Sequence, residues 1–477
     1  MFKLVKKNSH RVFLFFLACF VLFASSSQVT AEDQKKPTSK EITLEEAIAW
    51  GFEHSPALTG LQDQVAQLQR QLAMLEAGLN WQADVVGQLD TGNLGSSSFS
   101  TGREQAEVEV GVQGRRSYRS GLSLSPKLSL KKELTVDEEP AVGFTFNLTQ
   151  KLFPWSPSAA EQEYYRTLNT LKKAEENFKW QAETEKINWL EGYLNLLRLQ
   201  EKVEVAEEEY RLANEEFALI EQRQAIGEAG PPQILAGKAS LKQAEYQLKQ
   251  ARNTLAAAER EWQLALGLPA TSKVNLVPEN PYFQQIKEEL AKLAFDWEDD
   301  EWLMKVLSAN HYQLAAHRRD QQQVREEWEW KQAERKPEIT AGGTYNYPEH
   351  KWQINLNLNY KLWDGGKKRL EEEEHQALLR SLERDYQYLM ENLHSQLQKL
   401  LHQFELAKLN LEAVIFQEEK AALEAEVYRK QLAAGLITEQ EWARKAVAAQ
   451  IVQISREEAE DRVFLAKLRI LRLVGLI

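Results

Sequence analysis

Two clusters in this 477-residue chain hold residue types that could do chemistry. Asp364-Gly365-Gly366-Lys367 combines a carboxylate, two flexible residues and a lysine, the ingredients of a phosphate loop. Glu371 to Glu374 line up four carboxylates, the ingredients of a cation site. Neither has the required spacing. A P-loop separates its glycines by four residues and follows its lysine with Ser or Thr. We therefore read Asp364 as the cap of a helix, with Gly365 and Gly366 permitting a sharp strand-to-helix corner. The glutamate run reads as a solvated face near that helix's N-terminus, where the dipole favours negative charge. The eight histidines are dispersed without an HExxH or comparable ligand set, and no Gly-x-Ser-x-Gly occurs. No catalytic residue, cofactor site or metal site is assigned, and the chain is not read as an enzyme.

The elements around these clusters are long. Apolar residues recur in steps of four and three through Ala206, Tyr210, Ala213, Phe217 and Ile220, and again through Leu393, Leu397, Leu400, Phe404, Ala407, Leu411 and Val414. These stripes predict helices from about Trp155 to Ala225 and from about Lys367 to Ala434, each a rod of roughly 105 Å. Shorter helices are predicted over Leu44 to Leu79, Pro231 to Leu266, Trp302 to Lys336 and Thr438 to Val474. Two short rods end to end would line one long rod. Gly227 and Gly267 are separated by the same interval as Gly435 and Gly475, so the chain reads as a duplication. Its parts are a segment 1–31, a first repeat 32–268, an inter-repeat segment 269–300 and a second repeat 301–477.

Residues 1–31 have the form of a secretory signal. Lys3, Lys6, Lys7 and Arg11 precede an apolar run from Val12 to Phe23, and Val29-Thr30-Ala31 offers small residues for cleavage. The run is too short for the roughly 20 residues of a spanning helix. Cys19, the only cysteine, lies within it, so the mature chain has no disulfide. Cleavage removes four basic and no acidic residues and takes the formal charge from −12 to −16. That balance argues against a nucleic-acid partner, which would call for a basic face.

Between the short and long helices lie alternating strands. Trp352, Ile354, Leu356, Leu358, Tyr360 and Leu362 alternate with Gln353, Asn355, Asn357, Asn359 and Lys361. One face is apolar with aromatic ends and the other is amide-rich, over about the 9–11 residues of a tilted membrane strand. Val142, Phe144, Phe146 and Leu148 keep the same phase in the first copy. Alone, the pattern fits a soluble sandwich edge equally well; joined to a signal and long rods it favours a barrel. The first copy also holds Val108, Val110, Val112 and Leu122, Leu124, Leu128, Leu130. Two further strands fit there, and Pro126 makes the second an edge or bent strand. The Gly- and Ser-rich stretch from Thr91 to Gly102 reads as an exposed loop.

With these features in place, the chain resembles the TolC family of outer membrane efflux proteins. The likeness rests on Ile42-Thr43-Leu44-Glu45-Glu46-Ala47 with Ser55-Pro56-Ala57-Leu58, on Leu362-Trp363-Asp364-Gly365-Gly366-Lys367, and on Gly267-Leu268-Pro269. The resemblance implies a mainly α fold with a transmembrane β-barrel part. In it a long antiparallel coiled-coil barrel is continuous with a trimeric β-barrel, each chain of the homotrimer giving four of twelve strands in outer membrane lipid. It further implies a periplasmic adaptor, an inner-membrane pump and an equatorial belt near residues 271–300. The implied function is a channel-tunnel for passive export; the alternative is a periplasmic coiled-coil adaptor. The lipid face would be Trp352, Ile354, Leu356, Leu358 and Tyr360. Helix-turn tips at Gly227 and Gly435 would carry the periplasmic gate. There Glu441 falls on the family's first acidic ring position and Arg444 on the second, while Gln233 replaces an aspartate and Leu432 a linking tyrosine.

Overall fold

The structure, a computed structural model, describes residues 41–91, 106–133, 140–277, 280–293, 297 and 299–477. Residues 1–31 with Cys19, the loop expected after Thr91 and Pro278 lie outside the described residues. The chain opens with a two-residue strand β1 (Glu41–Ile42), helices α1 (Leu44–His54) and α2 (Pro56–Gly78), and strands β2 (Gln82–Thr91), β3 (Ala106–Ser117), β4 (Leu122–Glu133) and β5 (Ala141–Phe153). Next come α3 (Ala159–Ala225), α4 (Pro231–Leu266), β6 (Lys273–Val274), α5 (Pro281–Lys292), α6 (Asp300–Asn310) and α7 (Tyr312–Glu334). Strands β7 (Glu338–Tyr347) and β8 (Lys351–Asn359) precede α8 (Lys367–Ala433) and α9 (Glu439–Leu473). Both long helices run 67 residues, about 100 Å.

Residues pack into two compact units. Of the described residues, one contains those within Met1–Gln62, Asn177–Ala315 and Tyr388–Ile477; the other contains those within Asp63–Glu176 and Ala316–Gln387. The first is helical. Its largest core joins Trp189, Leu190, Tyr193, Leu196 and Leu197 of α3 to Trp262 and Leu266 of α4, Phe283 of α5 and Phe464, Leu465 and Leu468 of α9. The spacing along α3 puts those side chains on one face. Farther along, Val205 and Leu212 meet Val447 and Ile454, a seven-residue step on each helix that marks a coiled-coil seam. Ion pairs follow the same antiparallel register: Glu191 with Arg469, Arg198 with Asp461, Lys202 with Glu458 and Glu216 with Arg444. On its other sides α3 meets α4 through Glu207–Arg252, and α9 meets α8 through Arg456–Glu418. The helices thus stand in a row, α4–α3–α9–α8.

Two expected helices are broken. Leu44 to Leu79 divides at Ser55 and Trp302 to Lys336 at His311, both with extended backbone (φ −61°, ψ 129° and φ −64°, ψ 124°). Pro56 accounts for the first break, because the residue before proline avoids the α region. No proline follows His311. There the imidazole is buried against Trp180, ring centroids 4.4 Å apart, and burial together with the Arg472 guanidinium pushes its pKa down to about 4.

Four glycines close helices in one manner. At Gly227, Gly267, Gly435 and Gly475 the glycine has φ between +70° and +80°, and paired backbone bonds run back to the last helical carbonyls. This is the Schellman motif. Gly267 carries a second constraint, since a Cβ there would overlap the His54 carbonyl, whereas at Gly435 nothing lies within 4 Å. Gly435→Ala should therefore cost only the left-handed backbone penalty of about 1–2 kcal/mol, and Gly267→Ala clearly more. Thermal unfolding in detergent should show a larger fall in midpoint for Gly267→Ala.

The second unit holds one antiparallel sheet of six strands in the order β2-β3-β4-β5-β7-β8. Four strands were implied; six are present. The surplus hairpin is fully integrated, with β2–β3 and β4–β5 each paired over ten positions. Pro126 sits in an interior strand, contrary to its expected edge position. Ladder pairing toward β3 lapses between Gln113↔Lys127 and Arg116↔Leu124. Opposite the ring is Gly114, where a Cβ would lie 3.2 Å from Pro126 Cγ. The absent side chain makes room for the proline, which is how an interior strand tolerates it.

Candidate membrane and pore surfaces

In an antiparallel pair, residues opposite one another share a face. Following the register from strand to strand, Val85, Val110, Val112, Leu124, Leu128, Leu130, Phe144, Phe146, Leu148, Ile339, Tyr345, Ile354, Leu356 and Leu358 all fall on one side of the sheet. The opposite side holds Gln88, Glu109, Gln113, Ser125, Lys127, Ser129, Thr145, Asn147, Thr149, Thr340, Thr344, Gln353, Asn355 and Asn357. Trp352, Ile354, Leu356 and Leu358 share the apolar side and are 69–84% exposed. Tyr360 does not belong with them. The last paired residue of β8 is Asn359, opposite Glu338, and Tyr360 lies beyond the strand.

Aromatic groups mark both ends of the apolar face. At the end away from the helices Tyr345 packs on Trp352, centroids 4.8 Å apart. At the helical end Arg116 places its guanidinium 4.5 Å over Tyr118 and 6.0 Å from Trp81, a cation held by aromatic faces. The strands measure 9–13 residues, the length a tilted strand needs to cross a bilayer core. The polar face includes a charged cluster that was not singled out from sequence. Glu109 pairs with Lys127 at 2.6 Å and Lys131 at 3.5 Å. Its signal was Glu109 alternating with Val108 and Val110.

At the strand-to-helix corner Asp364 accepts from the backbone N–H of Lys368 at 2.8 Å and of Gly366 at 3.1 Å. The Lys368 bond, then that from Gly366, holds its carboxyl below the usual range. At this corner Gly365 and Gly366 have φ +66° and +87°. Glu371 is more enclosed than a solvated face implies. Its carboxylate meets Arg335 at 3.2 Å, Lys367 at 3.7 Å and Lys331 at 3.8 Å.

At the two helix-turn tips, Glu441 and Gln233 occupy equivalent places. Glu441 accepts from the backbone N–H of Thr438 at 2.9 Å while its own N–H donates to Thr438 Oγ1 at 3.2 Å, a capping box. Gln233 Oε1 accepts from Gly230 N–H at 2.9 Å. The Thr438 backbone N–H and hydroxyl, with Arg444 adding to them, hold the Glu441 carboxyl below its usual range. It remains anionic and exposed. Arg444 instead reaches Glu216 on α3, and Leu432 is half-buried on α8.

No protein-family model and no curated protein matches this chain. Solved structures do. The outer membrane channel CmeC of Campylobacter jejuni superposes with a TM-score of 0.63 at 11% identity, over 94% of this chain and 90% of that one. The outer membrane protein VceC of Vibrio cholerae gives 0.60 at 12% identity, over 91% and 96%. The outer membrane channel MtrE of Neisseria gonorrhoeae, in its open state, gives 0.59 at 12%, over 94% and 96%. The chain has the fold of these outer membrane channels.

Proposed function

We propose that the chain is one protomer of a homotrimeric outer membrane channel-tunnel of the TolC type, which exports solutes passively after an inner-membrane pump and a periplasmic adaptor deliver them. The carrying observation is the sheet, whose apolar face spans every strand while β2 and β8 have no partner on their outer edges among the described residues. In lipid an unpaired strand edge costs several kcal/mol per backbone group, so only closure with further copies is tolerable. β2 leads away from α2 and β8 leads toward α8, so these edges run in opposite senses and pair antiparallel between copies.

The helical unit supports the same reading. Its row ends in α4 and α8, and both carry uncovered apolar side chains: Leu235 and Tyr246 on α4, and Leu409, Phe416 and Leu423 at seven-residue steps on α8. Such a heptad stripe asks for a neighbouring helix. The matched caps, the equal lengths of α3 and α8 and the breaks at Ser55 and His311 support a duplicated unit. A periplasmic adaptor, the alternative, would share the helical hairpins but has no use for a membrane-spanning apolar sheet face.

In detergent the protein should have the mass of three chains and should conduct in planar bilayers; a conducting monomer would contradict the proposal. Leu356→Arg, on the lipid face, should impair membrane assembly by about 2–4 kcal/mol, whereas Asn357→Arg, facing the lumen, should assemble and alter conductance. Heat-resistant trimer yield measures the difference, and equal losses would place β8 outside the membrane.

Three copies of Glu441 around a trimer axis would form an acidic constriction that attracts cations, screened over a Debye length of about 10 Å at 0.1 M. Glu441→Gln is the informative change, since Gln233 makes the same cap without charge. Single-channel recording should show lower cation selectivity at low salt and an unchanged melting midpoint. Unchanged selectivity would leave Glu441 a helix cap only.

A further inference from the structure

We propose that the β3–β4 hairpin is part of the barrel wall, so that three chains close eighteen strands around a lumen that admits bulky hydrated cargo. The proposal rests on the reading of the chain as a trimeric channel and adds what that reading does not supply, the width of the pore. With strands about 4.8 Å apart and tilted about 40°, twelve strands give a backbone diameter of about 24 Å and eighteen about 36 Å. Cross-section rises by about a factor of two. Eighteen strands fall where porins keep an open aqueous channel instead of a filled interior.

Three observations put the hairpin in the wall. First, the ladder is continuous: β3 pairs with β2 on one side and β4 on the other, and β4 with β5, in the same sheet as β7 and β8. A hairpin folded away from the wall would instead leave β2 beside β5.

Second, the apolar phase is unbroken. Val110 and Val112 of β3 and Leu128 and Leu130 of β4 extend the face of Phe144 and Ile354, and each is about half exposed or more except Phe144. That leaves the hairpin with the same need for lipid as the rest of the sheet. Its polar side closes against small residues: a Cβ on Gly111 would lie 2.7 Å from the Leu128 carbonyl, and one on Gly143 would lie 3.1 Å from Ser129 Oγ.

Third, the turn joining β3 to β4 is tied to helices beside the sheet. Arg119 lies 4.5 Å over the Tyr164 ring of α3 and 3.9 Å from Glu76 of α2. Tyr118 and Leu122 close the turn backbone to backbone at 2.8 Å. The hairpin's turn therefore sits at the level where the neighbouring strands continue into helices, as the turn of a wall hairpin must.

The added wall also changes the lining. β5, β7 and β8 present hydroxyl and amide groups along their middles, with Lys151, Glu338 and Lys351 only near strand ends, whereas β3 and β4 bring Glu109, Lys127 and Lys131. A wide lumen with paired charges of both signs suits large, hydrated solutes more than a single small ion.

The test uses the full-length chain with Cys19→Ser and one new cysteine. In trimers in a planar bilayer, a long polymer-tethered maleimide should react with Ser125→Cys, on the polar face of β4, and lower the current by roughly half or more by occupying the lumen. Leu128→Cys, on the lipid side, should leave the current unchanged. A second variant lacking Ala106–Glu133 should still form trimers through β2 and β5 but exclude smaller neutral polymers than the parent. A labelled Ser125→Cys trimer with unchanged current, or a deletion trimer with the same polymer cut-off, would overturn the eighteen-strand wall alone. A parent chain that is monomeric and does not conduct would overturn the channel reading and this inference together.

Discussion

Everything in the sheet-bearing unit depends on where the outer N–H and C=O groups of β2 and β8 find partners. Interior strands satisfy their backbones within the chain, and the ladder from β2 to β8 does so over most of its length. Among the described residues the two outer edges have no partner. A soluble protein manages such edges with charges, prolines or a covering loop. Here β8 offers Trp352, Ile354, Leu356 and Leu358 beside its bare edge and β2 offers Val85 and Leu89. An apolar edge strand is an aggregation hazard in water and an assembly surface in lipid. The choice between those outcomes is made by the solvent, which is why membrane and oligomer cannot be argued separately for this chain.

The helical unit poses a milder version of the same problem. Its seams are largely polar, and exposed salt bridges such as Glu207–Arg252 contribute little individually, about 0–1 kcal/mol. Their value lies in register. Along α3 and α9 each pair from Glu191–Arg469 to Glu216–Arg444 permits one alignment, and the Val205, Leu212, Val447, Ile454 seam permits the same one. Around Arg198 the arrangement is tighter, with Asp461 at 2.9 Å, Glu201 at 2.7 Å and Glu457 on one guanidinium. There burial raises the Asp461 carboxyl against the pull of Arg198, so the cluster fixes geometry at some cost in desolvation.

Periodicity made the long elements readable from sequence. The limits of α3, α4, α8 and α9 follow from apolar steps and the four glycines, because a Schellman cap is a local device with a local signal. Breaks were harder. Pro56 announces the one at Ser55, but at His311 only the tertiary contact with Trp180 distinguishes the segment from a continuous helix. Pro126 misled for a related reason: its acceptance in an interior strand depends on Gly114, twelve residues away and visible as its partner only once the register is known. Trp352 to Leu358 announced their face by alternation, yet alternation continues through Tyr360 to Leu362 after the ladder has ended.

The tip residues show how position and chemistry separate. A family position counted from Gly435 selects Glu441, and the same count from Gly227 selects Gln233; both side chains bond the backbone N–H at the start of their helices. The capping box alone accounts for Glu or Gln at that place. What it does not require is charge. Gln233 makes the same bond to the N-cap N–H without any, so the charge of Glu441 is surplus to that bond, and the same bonds that use it as a cap hold its proton off. Glu441 is thus a helix cap that is also exposed and favours its anionic form. The asymmetry between the tips, charged after Gly435 and neutral after Gly227, would then be the chemical difference between two otherwise matched turns.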